Sequence, residues 1–339
     1  MGWTADLVVE PDGERPTPSG ADVVVEIEAC GVCGRDCLDR AGRFAFVQVP
    51  ITPGHEAVGH VVAVGPDVTE WRVGQRVATL HRDACGDCAA CSAGETSLCG
   101  SAAAVLGLLV DGGYARWLTV PQRALYGIPD DIEPALAAVL HCTVGTAWRG
   151  LTRAGLVAGK RVLVTGANGG VGAAAVEVVS RLGASAIAVV RKREHGEIAE
   201  ARGAAAVIVD DGSTFHKRIP GGPVDIAMDC VGAPTFNGAL RALGVGGRMV
   251  AVGNIVDAKV ELNVGYVITY GLQITGSSGA TRADMAAVLA LHAQRPFDVP
   301  IHARLPLTDA DRAQRLVAGG GLRGRVVLFP SLGPSLGPA

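Results

Sequence analysis

Short apolar stretches broken by Gly, Pro and Asp run from Val23 to Val120, as in Val23-Val-Val-Glu-Ile27 and Val58-Gly-His-Val-Val-Ala-Val64, and they predict a β-rich lobe. Past Asp130 the rhythm changes. Apolar segments of four or five residues alternate there with helix-length stretches, the pattern of βαβ units on a parallel sheet buried on both faces. The predicted strands are Arg161–Thr165, Ala186–Val190, Ala206–Val209, Asp225–Asp229, Arg248–Val252 and Leu272–Thr275. Six such strands complete a doubly wound domain. Farther on, Arg325–Phe329 reads as a late strand that returns to the first lobe and makes it discontinuous. The expected division is 1–130 with 277–339 for the β-rich lobe and 131–276 for the parallel-sheet domain, an α/β fold. The tail Pro330–Ala339 repeats Ser-Leu-Gly-Pro and is expected to be a loose end.

Composition narrows the function. A chain of 339 residues exceeds what one core usually serves, which agrees with two domains and a cleft between them. The net charge is −3, from 30 basic and 33 acidic residues, and no basic run is long enough to track a phosphate backbone, so nucleic acid is excluded as a partner. The first residues lack the charged-apolar-small order of an export signal, and no apolar run reaches membrane-spanning length. The expectation is a soluble cytoplasmic protein with a small-molecule substrate, in which nine cysteines serve as ligands and buried small hydrophobes.

Four of those cysteines fall within fifteen residues, Cys85, Cys88, Cys91 and Cys99, at spacing x2, x2, x7. Two-residue gaps let thiolates converge on one ion, and a fourth returning after a small loop completes the tetrahedron Zn²⁺ prefers. This reads as a closed, structural zinc site within a lobe at 81–100. A disulfide knot is the alternative, but the short gaps are cramped for bridges within the set. A site of this kind does no chemistry.

The strand Arg161–Thr165 runs into Gly166-Ala-Asn168-Gly169-Gly170-Val171-Gly172 and then a helical stretch. Such a turn lets the backbone approach a pyrophosphate, while the helix N-terminus offers unpaired N–H groups and partial positive charge. A merely tight turn is the plainer alternative, and the order strand, turn, helix argues against it. The second strand ends at Val190-Arg191-Lys192-Arg193 with no carboxylate for the ribose hydroxyls of NAD. Cations favour a 2′-phosphate, so NADPH is expected over NADH, a solvated basic turn being the alternative.

Lone residues complete the inventory: Cys33 in Gly31-Val-Cys33-Gly-Arg35-Asp36, His55-Glu56 after Pro53-Gly54, and Cys142 in His141-Cys142-Thr-Val-Gly-Thr146. Two Cys and one His on separate elements suit a three-ligand catalytic zinc, though spacing alone says little. The assembled pattern is more specific. Those runs, with Val64-Gly65, Val73-Gly-Gln-Arg-Val77, the four-cysteine lobe, Asp111-Gly-Gly-Tyr-Ala115 and the glycine turn, resemble the zinc-containing medium-chain alcohol dehydrogenase superfamily in the right order over nearly the whole chain. The resemblance implies a GroES-like catalytic domain split around a Rossmann domain, two zinc ions per chain, and a homodimer or homotetramer. It implies Cys33, His55 and Cys142 as catalytic zinc ligands, Glu56 as an acidic neighbour able to approach the metal, and Asp36 as the group orienting the imidazole. It also implies cofactor contacts from Thr146, Val231, Gly253 and Asn254. Cys30, Cys37 and Cys230 fall off the ligand positions.

One departure bears on the reaction. Alcohol-oxidising members carry Ser or Thr two residues after the first zinc cysteine, to relay the substrate proton; here that residue is Arg35, which cannot accept one, and Leu38 stands where the relay often has His. Cys33-Gly-Arg-Asp36, Val144-Gly-Thr-Ala-Trp-Arg-Gly-Leu151, Asp229-Cys-Val-Gly-Ala-Pro-Thr-Phe236 and Gly253-Asn254 most resemble the archaeal NADPH-dependent acryloyl-CoA reductases. The expected activity is hydride transfer between a nicotinamide and a carbonyl, or a C=C bond conjugated to one. Arg35 is then a candidate electrophile or, alternatively, half of a salt bridge. Phe44, Phe46, Trp117 and Tyr266 are candidate pocket walls and equally candidate core. A non-catalytic NADPH-binding protein on the same scaffold is the reading from a different class, and it leaves Cys33, His55 and Cys142 without a purpose.

Overall fold

A computed structural model describes residues 6–10, 13–44, 46–101, 104–255 and 258–332. Residues 333–339 of the expected loose tail lie outside the described ones. In chain order the strands are β1 (Asp22–Val32), β2 (Glu56–Val64), β3 (Arg76–Thr79), β4 (Trp117–Pro121), β5 (Leu125–Gly127), β6 (Arg161–Thr165), β7 (Ser185–Val190), β8 (Ala204–Val209), β9 (Val224–Asp229), β10 (Leu243–Ala251), β11 (Gln273–Gly276), β12 (Ile301–Pro306) and β13 (Arg325–Phe329). The chain divides into two compact units, 1–141 with 281–289 and 300–339, and 142–280 with 290–299.

The first unit is built on a seven-stranded sheet in the order β12-β13-β1-β2-β3-β5, with β4 also paired to β1. β1 takes β2 along one edge, from Val23 to Gly31. β4 and β13 share the other, β4 covering Asp22–Glu26 and β13 covering Cys30–Val32. Completely flanked, β1 is buried almost throughout, and its Val23, Val25 and Ile27 join Val61, Val77, Leu118, Val120, Leu125, Val326 and Leu328 in one core. The helix Pro134–Val139 packs on β1 and β2, which draws the first unit on to His141. The β1–β2 register sets Gly31 opposite Glu56. A Cβ at Gly31 would lie 2.2 Å from Glu56 Oε2, so glycine there leaves room for a buried carboxylate.

The second unit is a parallel six-stranded sheet in the order β11-β10-β9-β6-β7-β8, doubly wound as the alternating pattern predicts. β6, β7 and β9 are short and apolar because both their faces are covered, with Leu163, Ile187, Val189, Phe215, Ala227 and Met249 in a shared core, whereas the edge strand β8 is only partly buried. Register pairs Thr165 with Val189 and with Asp229, and Asp229 with Ala251. The carboxyl ends of four strands therefore finish level, the place where open α/β sheets bind ligands.

Candidate active site and metal centres

The first metal-capable group is local. Cys85, Cys88, Cys91 and Cys99 gather their sulfurs within 4.8 Å of one another. Three Sγ–Sγ separations are 3.5, 3.9 and 3.9 Å, for Cys99–Cys85, Cys85–Cys91 and Cys88–Cys99. A Zn–S bond of about 2.3 Å in a tetrahedron demands edges of about 3.8 Å, so the donor set fits zinc. No two of these cysteines are bonded. Backbone N–H groups of Cys85 and Cys88 point at Cys99 and Cys85 sulfurs, each at 3.4 Å, a favourable surrounding for thiolates. Outside the cluster, Arg123 donates to the Cys85 carbonyl at 2.6 Å.

The second group is assembled from distant elements. Cys33 is the N-cap of the helix Gly34–Arg40, its sulfur accepting from Arg35 N at 3.5 Å. The reciprocal half of that capping box is Asp36, whose Oδ2 accepts from Cys33 N at 2.9 Å. Asp36 Oδ1 meets His55 Nδ1 at 2.8 Å, which fixes the ring and turns Nε2 to the Cys33 and Glu56 side. The ligand atoms of Cys33, His55 and Glu56 lie within 4.8 Å of one another. Burial and the Arg35 charge push the His55 imidazole down, but the charge and hydrogen bond of Asp36, with a further bond to Cys33, lift it to about 10. A metal must displace the proton from Nε2, and the Asp36 bond at Nδ1 leaves that nitrogen as the one presented to it; the thiol, imidazole and carboxylate set fits zinc.

Glu56 opens β2 and is buried, with Oε1 3.8 Å from His55 Nε2. Burial raises its pKa, and the Arg325 guanidinium on β13 opposes the rise by donating to both carboxylate oxygens, 2.6 Å to Oε2. Tyr114 adds a hydroxyl to Asp36 Oδ2 at 3.1 Å. Neither Arg325 nor Tyr114 stands out in the sequence; the Asp-Gly-Gly-Tyr run is the one local signal for the second. Arg35 is engaged, its Nε 3.3 Å from Asp39 and its Nη2 donating to Leu106 O at 2.7 Å. Cys37 is buried against Gln314 O, and burial pushes its thiol up to about 12. Cys142 opens the second unit in the π-helical turn His141–Gly145.

In the second unit the glycine turn has the close-packed, left-handed geometry that only glycine allows and that a phosphate cradle uses. Gly166 is left-handed at φ +59°, and a Cβ on Gly172 would lie 2.2 Å from Gly166 O. Gly169 caps the helix Gly170–Arg181 with no side-chain cap, so the first N–H groups of the helix lack a partner within it, the condition for holding an anion next to Asn168. At the end of β9, buried Asp229 accepts from Thr165 and Thr235 hydroxyls at 2.5 Å and from Gly232 N at 3.1 Å, shaping the turn that carries Val231. Gly253 packs so tightly over Cys230 O that a Cβ would come within 2.0 Å, with Asn254 next to it. Thr146 starts the helix Thr146–Arg153, which lies by Gly150 against Met228 and Val250. Arg191 and Lys192 are exposed just past β7, Lys192 3.7 Å from Glu194. Of the candidate walls, Phe46 is exposed, Trp117 lies under Arg116, and Tyr266 packs partly on the second unit's core.

A glycine cradle on a doubly wound sheet in one unit, and two metal-capable clusters on the β-rich unit, are the features of a zinc-type nucleotide-dependent oxidoreductase. A family model described as alcohol dehydrogenase GroES-like domain matches residues 19–130, and one described as zinc-binding dehydrogenase matches 170–294. The chain is 32% identical over 316 residues to an acryloyl-coenzyme A reductase of Metallosphaera sedula, covering 93% of this chain and 94% of that one. Among solved structures, one titled crystal structure of AibC is 38% identical, covering 94% and 90%, with TM-score 0.88. A cobalt- and zinc-bound thermostable alcohol dehydrogenase from Pyrobaculum aerophilum is 29% identical, covering 94% of each, with TM-score 0.85. The chain belongs to the zinc-containing medium-chain alcohol dehydrogenase superfamily and is an oxidoreductase.

Proposed function

We propose that this protein is a zinc- and NADPH-dependent reductase of a C=C bond conjugated to a carbonyl, acyl thioesters included. The observation that carries the reading is the grouping of Cys33, His55 and Glu56 with His55 Nε2 left for a cation by Asp36. Cys142 supplies the third protein ligand in this proposal, and Cys85, Cys88, Cys91 and Cys99 hold a second, structural ion. When bound, zinc supplies Lewis acidity and the reduced nicotinamide supplies hydride. This chain's residues do the rest. Asp36 and Tyr114 keep the imidazole oriented, Glu56 stays close with its charge balanced by Arg325, and the glycine turn with Thr146, Val231, Gly253 and Asn254 seats the dinucleotide. Arg191 and Lys192 meet a 2′-phosphate.

The conjugated acceptor is favoured because the position of the usual hydroxyl relay holds Arg35, whose guanidinium is tied to Asp39 and Leu106 and contributes positive field rather than a proton path. Conjugate reduction needs no immediate proton at the carbonyl oxygen. Reduction of plain aldehydes and ketones is the second reading. NADPH oxidation by zinc-loaded protein, measured against enoyl thioesters and enones on one side and simple carbonyls on the other, separates them: turnover confined to the conjugated panel with a saturated product supports the first, and turnover of plain carbonyls overturns it. Arg191→Asp should lower the NADPH-to-NADH ratio of kcat/KM about 10-fold or more; an unchanged ratio removes the phosphate contact.

We further place the enzyme in the cytoplasm, on its thiol-rich composition, and expect a homo-oligomer. The edge strand β11 and the helix Val264–Tyr270 expose Val264, Ile268 and Ile274, and sedimentation would give the copy number.

A further inference from the structure

Away from the ligand cluster, three rings of the first unit stand together. His81, just past β3, has its ring centroid 5.7 Å from that of His141, and Tyr126 on β5 lies 6.3 Å from the same ring. The Tyr126 hydroxyl is buried with no hydrogen-bond partner among the described residues. The His81 ring is half-buried and likewise makes no hydrogen bond among them. Buried polar groups in native proteins find partners, so the lone Tyr126 hydroxyl, with the half-buried His81 ring against the same imidazole, marks a place that a ligand completes.

Backbone geometry ties this place to the site. Leu106 N donates to His81 O at 3.1 Å, while Leu106 O accepts from Arg35 Nη2 at 2.7 Å. Residues 35 and 81 thus flank one residue's backbone, and Arg35 directly follows the Cys33-Gly34 pair. Electrostatics agree. Burial, followed by the charges of His141, Arg35, His55 and Arg82, holds the His81 imidazole well below its ordinary value. It is therefore neutral at pH 7, with one N–H donor and one bare nitrogen. A neutral imidazole in positive surroundings is suited to meet an oxygen on which negative charge grows, and it needs no change of protonation to do so.

We propose that His81 is a substrate-contacting residue whose imidazole N–H donates a hydrogen bond to the carbonyl oxygen of the substrate, a contact that Arg35, already engaged by Asp39 and Leu106, leaves open. The proposal rests on the reductase reading above. It adds a protein donor to that reaction and gives a use to a half-buried imidazole that makes no hydrogen bond among the described residues.

The test pairs His81→Phe, which keeps ring volume and removes the donor, with His81→Gln, which keeps an N–H. Each is assayed on whichever panel the wild type turns over, alongside zinc content and the KM for nicotinamide. The expected result is a kcat loss of roughly 10- to 100-fold in His81→Phe, partial recovery in His81→Gln, and zinc content and cofactor KM unchanged in both. A second readout is the ¹⁵N imidazole spectrum on adding a saturated acyl thioester, in which one histidine signal should shift in wild type and be missing from both variants. Equal kcat in His81→Phe and wild type, or His81→Gln no better than His81→Phe, overturns the role of His81 alone. A wild type inactive on both panels overturns the reductase reading and this inference with it.

Discussion

The two metal-capable clusters of the first unit are built in opposite ways. Cys85 to Cys99 come from one short stretch whose sulfurs are surrounded chiefly by their own backbone. Cys33, His55 and Glu56 come from a helix cap and a strand start, and are held by Tyr114, 78 residues beyond Asp36, and by Arg325, 269 residues beyond Glu56. A local cluster closes only short loops and has few contacts beyond its own stretch to keep its shape once an ion is removed. The dispersed one has been shaped by the fold before any ion arrives. One cluster should lose structure with its metal, the other only chemistry.

The largest effect should come from the local site. Structural zinc binds with apparent free energies of about 10–16 kcal/mol in finger peptides, so Cys91→Ser is expected to remove one zinc per chain and open residues 81–100 to proteolysis. Full zinc content with unchanged cleavage would erase the contrast. Next comes Arg325→Ala, which strands a buried carboxylate and should cost about 3–5 kcal/mol in urea unfolding, with Glu56→Gln in the same background restoring most of it. An equal loss in the double variant would show that Arg325 acts through packing. Asp36→Asn attacks the imagined preformed shape itself: metal affinity at the dispersed site should fall about 10- to 100-fold in a chelator competition while the circular dichroism spectrum stays native. If the spectrum collapses instead, Asp36 serves the helix cap more than the imidazole. Smallest is Tyr114→Phe, a loss of about 1 kcal/mol, read in the same competition; an unchanged affinity would remove Tyr114 from the support of His55.

What could be read from the chain follows the same division. Periodicity located β6 to β11, to within two residues at each end except that β10 begins at Leu243, five residues before the expected Arg248, where glycines interrupt the apolar run. The strand Arg325–Phe329, expected from its apolar pattern to return to the first lobe, lies in that lobe's sheet against β1. Four cysteines at tight spacing and glycines that forbid a Cβ, as at Gly172 and Gly253, leave their mark in adjacent letters. Cys33, His55 and Glu56 were legible only through resemblance, since single residues on separate elements carry no spacing. Arg325 was not legible at all. Its contact with Glu56 depends on β13 lying against β1 and on Gly31 making room, a three-dimensional coincidence with no periodic trace. His81 stayed hidden for a similar reason, as a histidine next to a strand end is unremarkable until its ring is seen without a partner.

The Glu56–Arg325 pair also sets a clock. A ribosome adding about 5–20 residues per second needs roughly 13 to 54 s to make the 269 residues between them. Throughout that interval the nascent chain holds the carboxylate without its counter-charge and β1 without β13 along Cys30–Val32. The sheet can grow early, but the surroundings of His55 close late. Under the proposed assignment a metal at the dispersed site would therefore be loaded in the final stage of synthesis or after it, whereas an ion at the four-cysteine stretch could be captured as soon as Cys99 clears the exit tunnel.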